Sequence, residues 1–176
     1  MTDNFSVRAV AWDDLPMILS WRNHPSIRDF MLTRHEITLV EHRLWFERAS
    51  ADRTRCLLVV EDKAEPAGYV QFANAIAGGI SDWGFYVRPD APKGTGRKLG
   101  MAALAHAFDV LSLHKVCGQA FASNQASIAL HMRLGFTREG VLRDQHHIDG
   151  AYHSIVCFGL LKCEWDGRTE ANGELT

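Results

Sequence analysis

Nothing in this 176-residue chain approaches the ~20 consecutive apolar residues that a membrane-spanning helix requires. Its first residues, MTDNFSVRAVAWDD, carry charge where a secretion signal needs an apolar core. Both absences point to a soluble, cytoplasmic protein with no membrane partner. Cysteine is scarce. Cys56, Cys117, Cys157 and Cys163 include no CxxC pair, so metal-ligand spacing is missing, and at this length reduced thiols are a better reading than a disulfide framework. An excess of either charge is missing too: 19 Lys and Arg against 21 Asp and Glu give a net charge of −2. That argues against nucleic acid as the main partner, because a phosphate-binding surface carries a basic excess. Nine histidines invite a metal. His146 and His147, however, are adjacent on a strand and face opposite ways, and His24, His35 and His42 lack the i, i+4 spacing of a helical pair. No metal site is expected.

There is also no internal repeat, low-complexity tract or Pro/Ser-rich linker. With 47% apolar and 23% charged residues, the chain has an ordinary globular composition and is long enough to bury a core. Residues 1–166 read as one domain. Residues 167–176 are polar, with no apolar spacing to bury, and read as a disordered tail.

The chain orders itself as one strand, two or three helices, three strands, then helix, strand, helix and a closing pair of strands. FSVRAVAW alternates as a first strand, and Asp13 or Asp14 can cap a helix through Leu15, Ile18, Leu19 and Trp21. Asn23-His24-Pro25 interrupts it, and a short helix through Ile27, Phe30 and Met31 follows. Thr38-Leu-Val-Glu41 is a capping box that opens a helix through Leu44, Trp45 and Phe46. RCLLVVED, AGYVQFANAI and ISDWGFYV are strands joined by hairpin connections. A long helix then puts Leu104, Phe108 and Leu111 on one face, KVCGQAFA is a buried strand, and NQASIALHMRLGF is a helix ended by Gly135. VLRDQHHI and AYHSIVCFGLL flank Asp149-Gly150, a two-residue hairpin turn. The crossover from the fourth strand to the fifth implies that these two run parallel.

One stretch stands out, PKGTGRKLGMAAL at 92–104. It places backbone amides at a helix N-terminus directly after a strand, an arrangement that holds phosphate through unpaired N–H groups and the positive end of the helix dipole. Gly94 and Gly96 remove side chains that would hold an anion away, and Lys93, Arg97 and Lys98 supply countercharge. The spacing fits neither GxxxxGK[ST] nor GxGxxG, since the third glycine falls one residue late, at Gly100. A plain helix entry among solvated cations would carry the same residues.

VRPDAPKGTGRKLGMAALAHAF followed by KVCGQAFASNQASIALHMRLGFTREGVLRD resembles the GCN5-related N-acetyltransferase (GNAT) family. That family joins a Q/R-x-x-G-x-G/A pyrophosphate loop to an L-Y-x-K-L-G-F-x-x-E-G helix end. Beyond residues 84–142, the segments SWRNHPSIRDFM, EHRLWF and the closing EW look most like the branch that acetylates a UDP-linked amino-dideoxy sugar in pseudaminic acid (flagellin sugar) biosynthesis. The ribosomal-protein N-terminal acetyltransferases are near relatives. The chain departs from the pattern at Ala91, where the loop has Gln or Arg, and at His131, where the helix has Tyr.

The resemblance implies an α/β fold with a central, mostly antiparallel twisted sheet, helices on both faces, and the fourth and fifth strands parallel and splayed. It implies direct acetyl transfer from acetyl-CoA, with no metal, to a primary amine in a ternary complex. By the same resemblance the backbone of Phe85, Tyr86 and Val87 pairs with the pantetheine arm, and the Val87 amide steadies the oxyanion. Lys93, Gly94, Thr95, Gly96, Arg97 and Lys98 hold the pyrophosphate. Asn124 and Ser127 meet the CoA arm, Arg133 meets a CoA phosphate, and His131 takes the place of the tyrosine that protonates the departing thiolate. For the base, Asp82, His153 and a water chain stand open. The acceptor pocket falls to Arg22, Asn23, Arg28, Met31 and His42, which suit a nucleotide-linked amino sugar; solvated arginines at a helix end are the plainer account. Acetylation of a ribosomal-protein N-terminus and a CoA-binding sensor without catalysis are the alternatives. A homodimer is compatible with all three.

Overall fold

Strands β2 (Cys56–Asp62) and β3 (Glu65–Ala73) are apolar on both faces, as strands covered from both sides must be. Leu57, Val59 and Tyr69 face one way, against α1 (Leu15–Asn23) and α3 (Leu39–Ala51) through Leu15, Ile18, Phe46 and Ala49. Leu58, Val60, Val70 and Phe72 face the other way, against Leu99, Ala103 and Leu104 of α4 (Thr95–Ala105). The alternation of side chains along each strand thus creates two cores with the sheet between them. The computed structural model describes residues 5–173, with 168–173 described by backbone alone.

The remaining elements are β1 (Phe5–Ala9), α2 (Pro25–Arg28), β4 (Ile80–Val87), β5 (Lys115–Phe121), α5 (Gln125–Leu134), β6 (Thr137–Ile148), β7 (Ala151–Leu161) and α6 (Lys162–Gly173). The seven strands lie in the order β1-β2-β3-β4-β5-β7-β6. Every neighbouring pair is antiparallel except β4 and β5. Those two run parallel for only three residue pairs, Ile80 with Lys115, Ser81 with Val116 and Asp82 with Cys117, and then part.

Local chemistry accounts for most element ends. Thr38 and Glu41 form the expected capping box. Asp149 and Gly150, both at positive φ, make the two-residue turn between β6 and β7. Three expectations need correction. Asp14 precedes α1 without capping it, because its carboxylate is taken by the Ala11 amide (2.7 Å) and by Arg8 (2.6 and 2.9 Å), tying β1 to the helix entry. Leu44 is exposed, and α3 buries His42, Phe46 and Ala49 instead. The long helix after the glycines stops at Ala105 and passes through a wider π turn, His106–Val110. The backbone of α6 runs through residues 167–173 of the expected tail. Glu164 accepts the Leu161 amide at 2.9 Å, Lys162 pairs with Asp166, and Trp165 packs on Phe108, which together start the helix. The last three residues of the expected tail lie outside the described residues.

Candidate active site

After Asp82 the parallel pair opens. Arg88 donates its N–H to the Ala67 carbonyl (3.0 Å), so by strand alternation Tyr86 and Gly84 turn their peptide groups towards β3. The peptide groups of Phe85 and Val87 therefore turn towards the side that β5 has left. A cleft of about 830 Å³ passes through this fork. On one face of the sheet it is lined by Asn124, Ser127 and His131 of α5, and on the other by Arg22, Met31, His42 and Trp45. Phe85 and Tyr86 line it, whereas the Val87 side chain turns away towards the start of α4, within contact distance of a Cβ built on Gly96.

His131 is 1% exposed. Its ring stacks on Phe158 (centroids 4.6 Å apart, 11° between planes) and meets Trp83 and Phe136 edge-on. Nε2 lies 3.2 Å from the Trp83 indole N–H, and Nδ1 lies 2.8 Å from the Ser127 carbonyl oxygen. An indole N–H only donates and a carbonyl only accepts, so the ring is neutral with its proton on Nδ1. Burial pushes its pKa down. Neither nitrogen presents a proton to the cleft in this arrangement, which lends the expected role of His131 as the acid for the departing thiolate no support.

The glycine segment enters α4 as expected, with Gly94 left-handed at the N-cap (φ 94°). The Thr95 amide and hydroxyl both bind the Pro92 carbonyl (3.2 and 2.8 Å), and the Arg97 and Lys98 amides bind the Gly94 carbonyl. The amides of Gly94 and Gly96 remain as first-turn donors with no protein acceptor among the described residues. Thr95 is buried, while Lys93, Gly94, Arg97 and Lys98 are exposed and Gly96 is half-buried. This loop lies past the end of β4 and outside the cleft lining. Asn124 caps α5 by accepting the Ser127 amide at 3.0 Å, and Arg133 lies exposed on the outer side of that helix.

At the other end, Arg22 gives Nη2 to the Thr33 carbonyl (2.9 Å), while its Nη1 is buried without a partner. His42 is 5% exposed and stacks on Trp45 (5.2 Å, 18°), and its Nδ1 is likewise buried without a partner. Burial first, then the Arg22 charge, holds the His42 pKa down. Tyr86, beside Arg22, has its phenol pushed well up by burial and stays protonated. Glu41 is the one carboxylate among the described residues of the lining, and it is already bound to Thr38 (2.7 and 2.8 Å) and near His35 (3.4 Å).

Four residues separate from this constellation. Asn23 closes both its amide atoms on the Ile37 backbone (2.8 and 2.9 Å), so it braces the loop before α3 rather than reading substrate. Arg28 is not part of the lining, and neither Asp82 nor His153 reaches it as a base. The sequence reading missed Trp83, Gly118 and Trp45. It also missed Arg34, which reaches across to Asp149 of the β6–β7 turn (2.9 Å) and over Phe121. Among the described residues no three His, Cys, Asp or Glu side chains converge as a metal site, and no helix is long and apolar enough to cross a membrane.

The family described as Acetyltransferase (GNAT) domain matches residues 4–137. Acetyltransferase PseH of Campylobacter jejuni is 27% identical over 135 residues, covering 77% of this chain and 84% of that protein. Spermidine N(1)-acetyltransferase of Vibrio cholerae is 25% identical over 173 residues, 97% of this chain and 100% of that protein. A crystal structure of spermidine N-acetyltransferase from Vibrio cholerae in complex with CoA and spermine shares the fold, with a TM-score of 0.83 at 24% identity, covering 92% of this chain and 98% of that one.

Proposed function

The chain belongs to the GNAT acetyltransferase family, and from that premise we propose that it transfers acetyl from acetyl-CoA to the primary amine of an anionic small molecule, a nucleotide-linked amino sugar of the UDP-4-amino-dideoxy type. The observation that carries the acceptor class is the Arg22–His42 end of the cleft. A buried guanidinium nitrogen and a buried imidazole nitrogen both lack partners there, and the nearby carboxylate of Glu41 is already engaged. Buried polar groups are normally satisfied, so two orphans on residues that line one cavity favour a ligand that completes them. A phosphate or sugar oxygen does so; a polycation such as spermidine would add charge beside Arg22 with no free carboxylate to meet it.

The donor end fits a CoA thioester. The unpaired side of Phe85 and Val87 offers an extended chain a strand to lie along. The Gly94 and Gly96 amides, with Lys93 and Arg97 nearby, offer a diphosphate its donors. In the reaction the amine nitrogen bonds to the thioester carbonyl carbon, the C–S bond breaks, the amine gives up a proton and the thiolate takes one. On this reading the Val87 amide, turned to the open side of β4, is the donor that meets the charge gathering on the carbonyl oxygen.

Thiol release from acetyl-CoA, measured with UDP-linked amino sugars, spermidine and basic N-terminal peptides, tests the reading. Turnover on the sugar nucleotides is expected. Turnover on spermidine or peptides alone overturns the acceptor class, and CoA binding with no turnover on any amine overturns the reaction.

A further inference from the structure

The Trp83–His131 hydrogen bond sits at the apex of the fork, and we propose that His131 is a positioning residue, a neutral wedge that keeps β4 and β5 apart and so preserves the free edge along which CoA binds. The inference rests on the donor half of the function above, not on the acceptor.

The wedge is assembled from four elements. The last parallel pair is Asp82 with Cys117, and the next residue on each strand is Trp83 and Gly118. At that step the face of the sheet over Gly118 is covered from α5. A Cβ on Gly118 would stand 2.5 Å from His131 Nε2 and 2.8 Å from Trp83 Nε1, so the absence of a side chain is what admits the indole–imidazole contact. Phe158 of β7 closes the ring from below, and Phe136 closes it from the turn after α5. With this plug seated, Phe85 and Val87 cannot regain β5 as a partner, and their peptide groups stay available.

The plug works only in one protonation state. The groups facing the ring from every packed element are Trp83 and Phe85 of β4, Gly118 of β5, Ser127 of α5, Phe136 and Phe158; none is charged. An imidazolium would point Nε2–H at an indole N–H, donor against donor, with no anion to offset its burial. The working ring is therefore neutral, and lowering the pH through its depressed pKa unseats the plug, whereas raising the pH above neutrality leaves it in place.

Long-range ¹H–¹⁵N correlation of the histidine side chains in the full-length protein gives a direct reading. His131 is expected to carry its proton on Nδ1, with Nε2 bare, and to show no titration between about pH 7 and 9. An Nε2–H tautomer, or a titration in that range, overturns the proposal. CoA titration calorimetry adds a second reading that needs no acceptor. His131→Leu fills the volume without accepting a hydrogen bond and should weaken CoA roughly tenfold. Trp83→Phe should match it, the double variant should be no worse, and His131→Gln, whose amide oxygen reaches the Nε2 position, should restore affinity to within roughly threefold. An acid role predicts the reverse: CoA affinity unmoved in all four, with turnover of both His131 variants lowered by roughly 10²–10⁴. If the unaltered protein fails to bind CoA at all, the donor reading above falls, while the tautomer measurement still decides the wedge.

Discussion

His42 and His131 lie at opposite ends of one cleft, 5% and 1% exposed, and burial holds both imidazoles below their ordinary pKa. One has a partner on each ring nitrogen, while the other has a buried Nδ1 with none. Solvent exposure and pKa direction do not tell them apart; hydrogen-bond completeness does. The chain has satisfied the histidine at the fork and left incomplete the histidine at the other end of the cleft. This is the pattern expected when architecture is finished by the protein and recognition is finished by the substrate.

That contrast can be broken most forcefully at Gly118. Gly118→Ala drives a methyl into the Trp83–His131 contact and is expected to lower the unfolding free energy by about 2–3 kcal/mol, measured by urea denaturation. A neutral result would mean that the contact is loose and His131 is no more a fixture than His42. At the other end, Arg22→Ala should raise the acceptor KM roughly tenfold, the scale of one charge-assisted hydrogen bond, with CoA affinity unchanged in calorimetry. A parallel loss of CoA affinity would show that the two ends are not independent.

The smallest effect is the pH dependence of stability. The folded-state pKa of each histidine lies below its unfolded value of about 6.5, so the native state binds protons less readily than the unfolded chain. The stability they contribute is complete above about pH 6.5 and is lost as the pH falls through the folded pKa values. Thermal unfolding from about pH 7.5 down to 5 should therefore show a falling Tm, and His131→Gln and His42→Gln should each flatten the slope. A slope unchanged by either substitution would assign the acid sensitivity to other groups.

How much of this was legible in the sequence follows from how local each interaction is. The Thr38–Glu41 capping box, the Asp149-Gly150 turn and the Gly135 end of α5 are settled within four residues, and each is visible in the string of letters. The family resemblance adds the order of strands around the fork. What could not be read was anything requiring two distant side chains to meet. Trp83 and His131 are 48 residues apart, and the fold brings Gly118 of a third element between them. Asn23 is polar and well placed for a sugar hydroxyl until Ile37, 14 residues on, claims both its amide atoms. Arg22 and His42 are named from the sequence and both line the cleft, yet what makes them informative is the lack of a partner, and a missing partner leaves no trace in a sequence.

The seven strands are held as two ribbons tacked together at one corner. β2 and β3 share seven paired positions, as do β5 and β7, whereas β4 and β5 share three. Tension between the ribbons concentrates on those three rungs, and an occupant stretched along the open margin of β4 adds stitches to the tack. For this molecule, then, holding its donor and holding itself together draw on the same short hem of backbone.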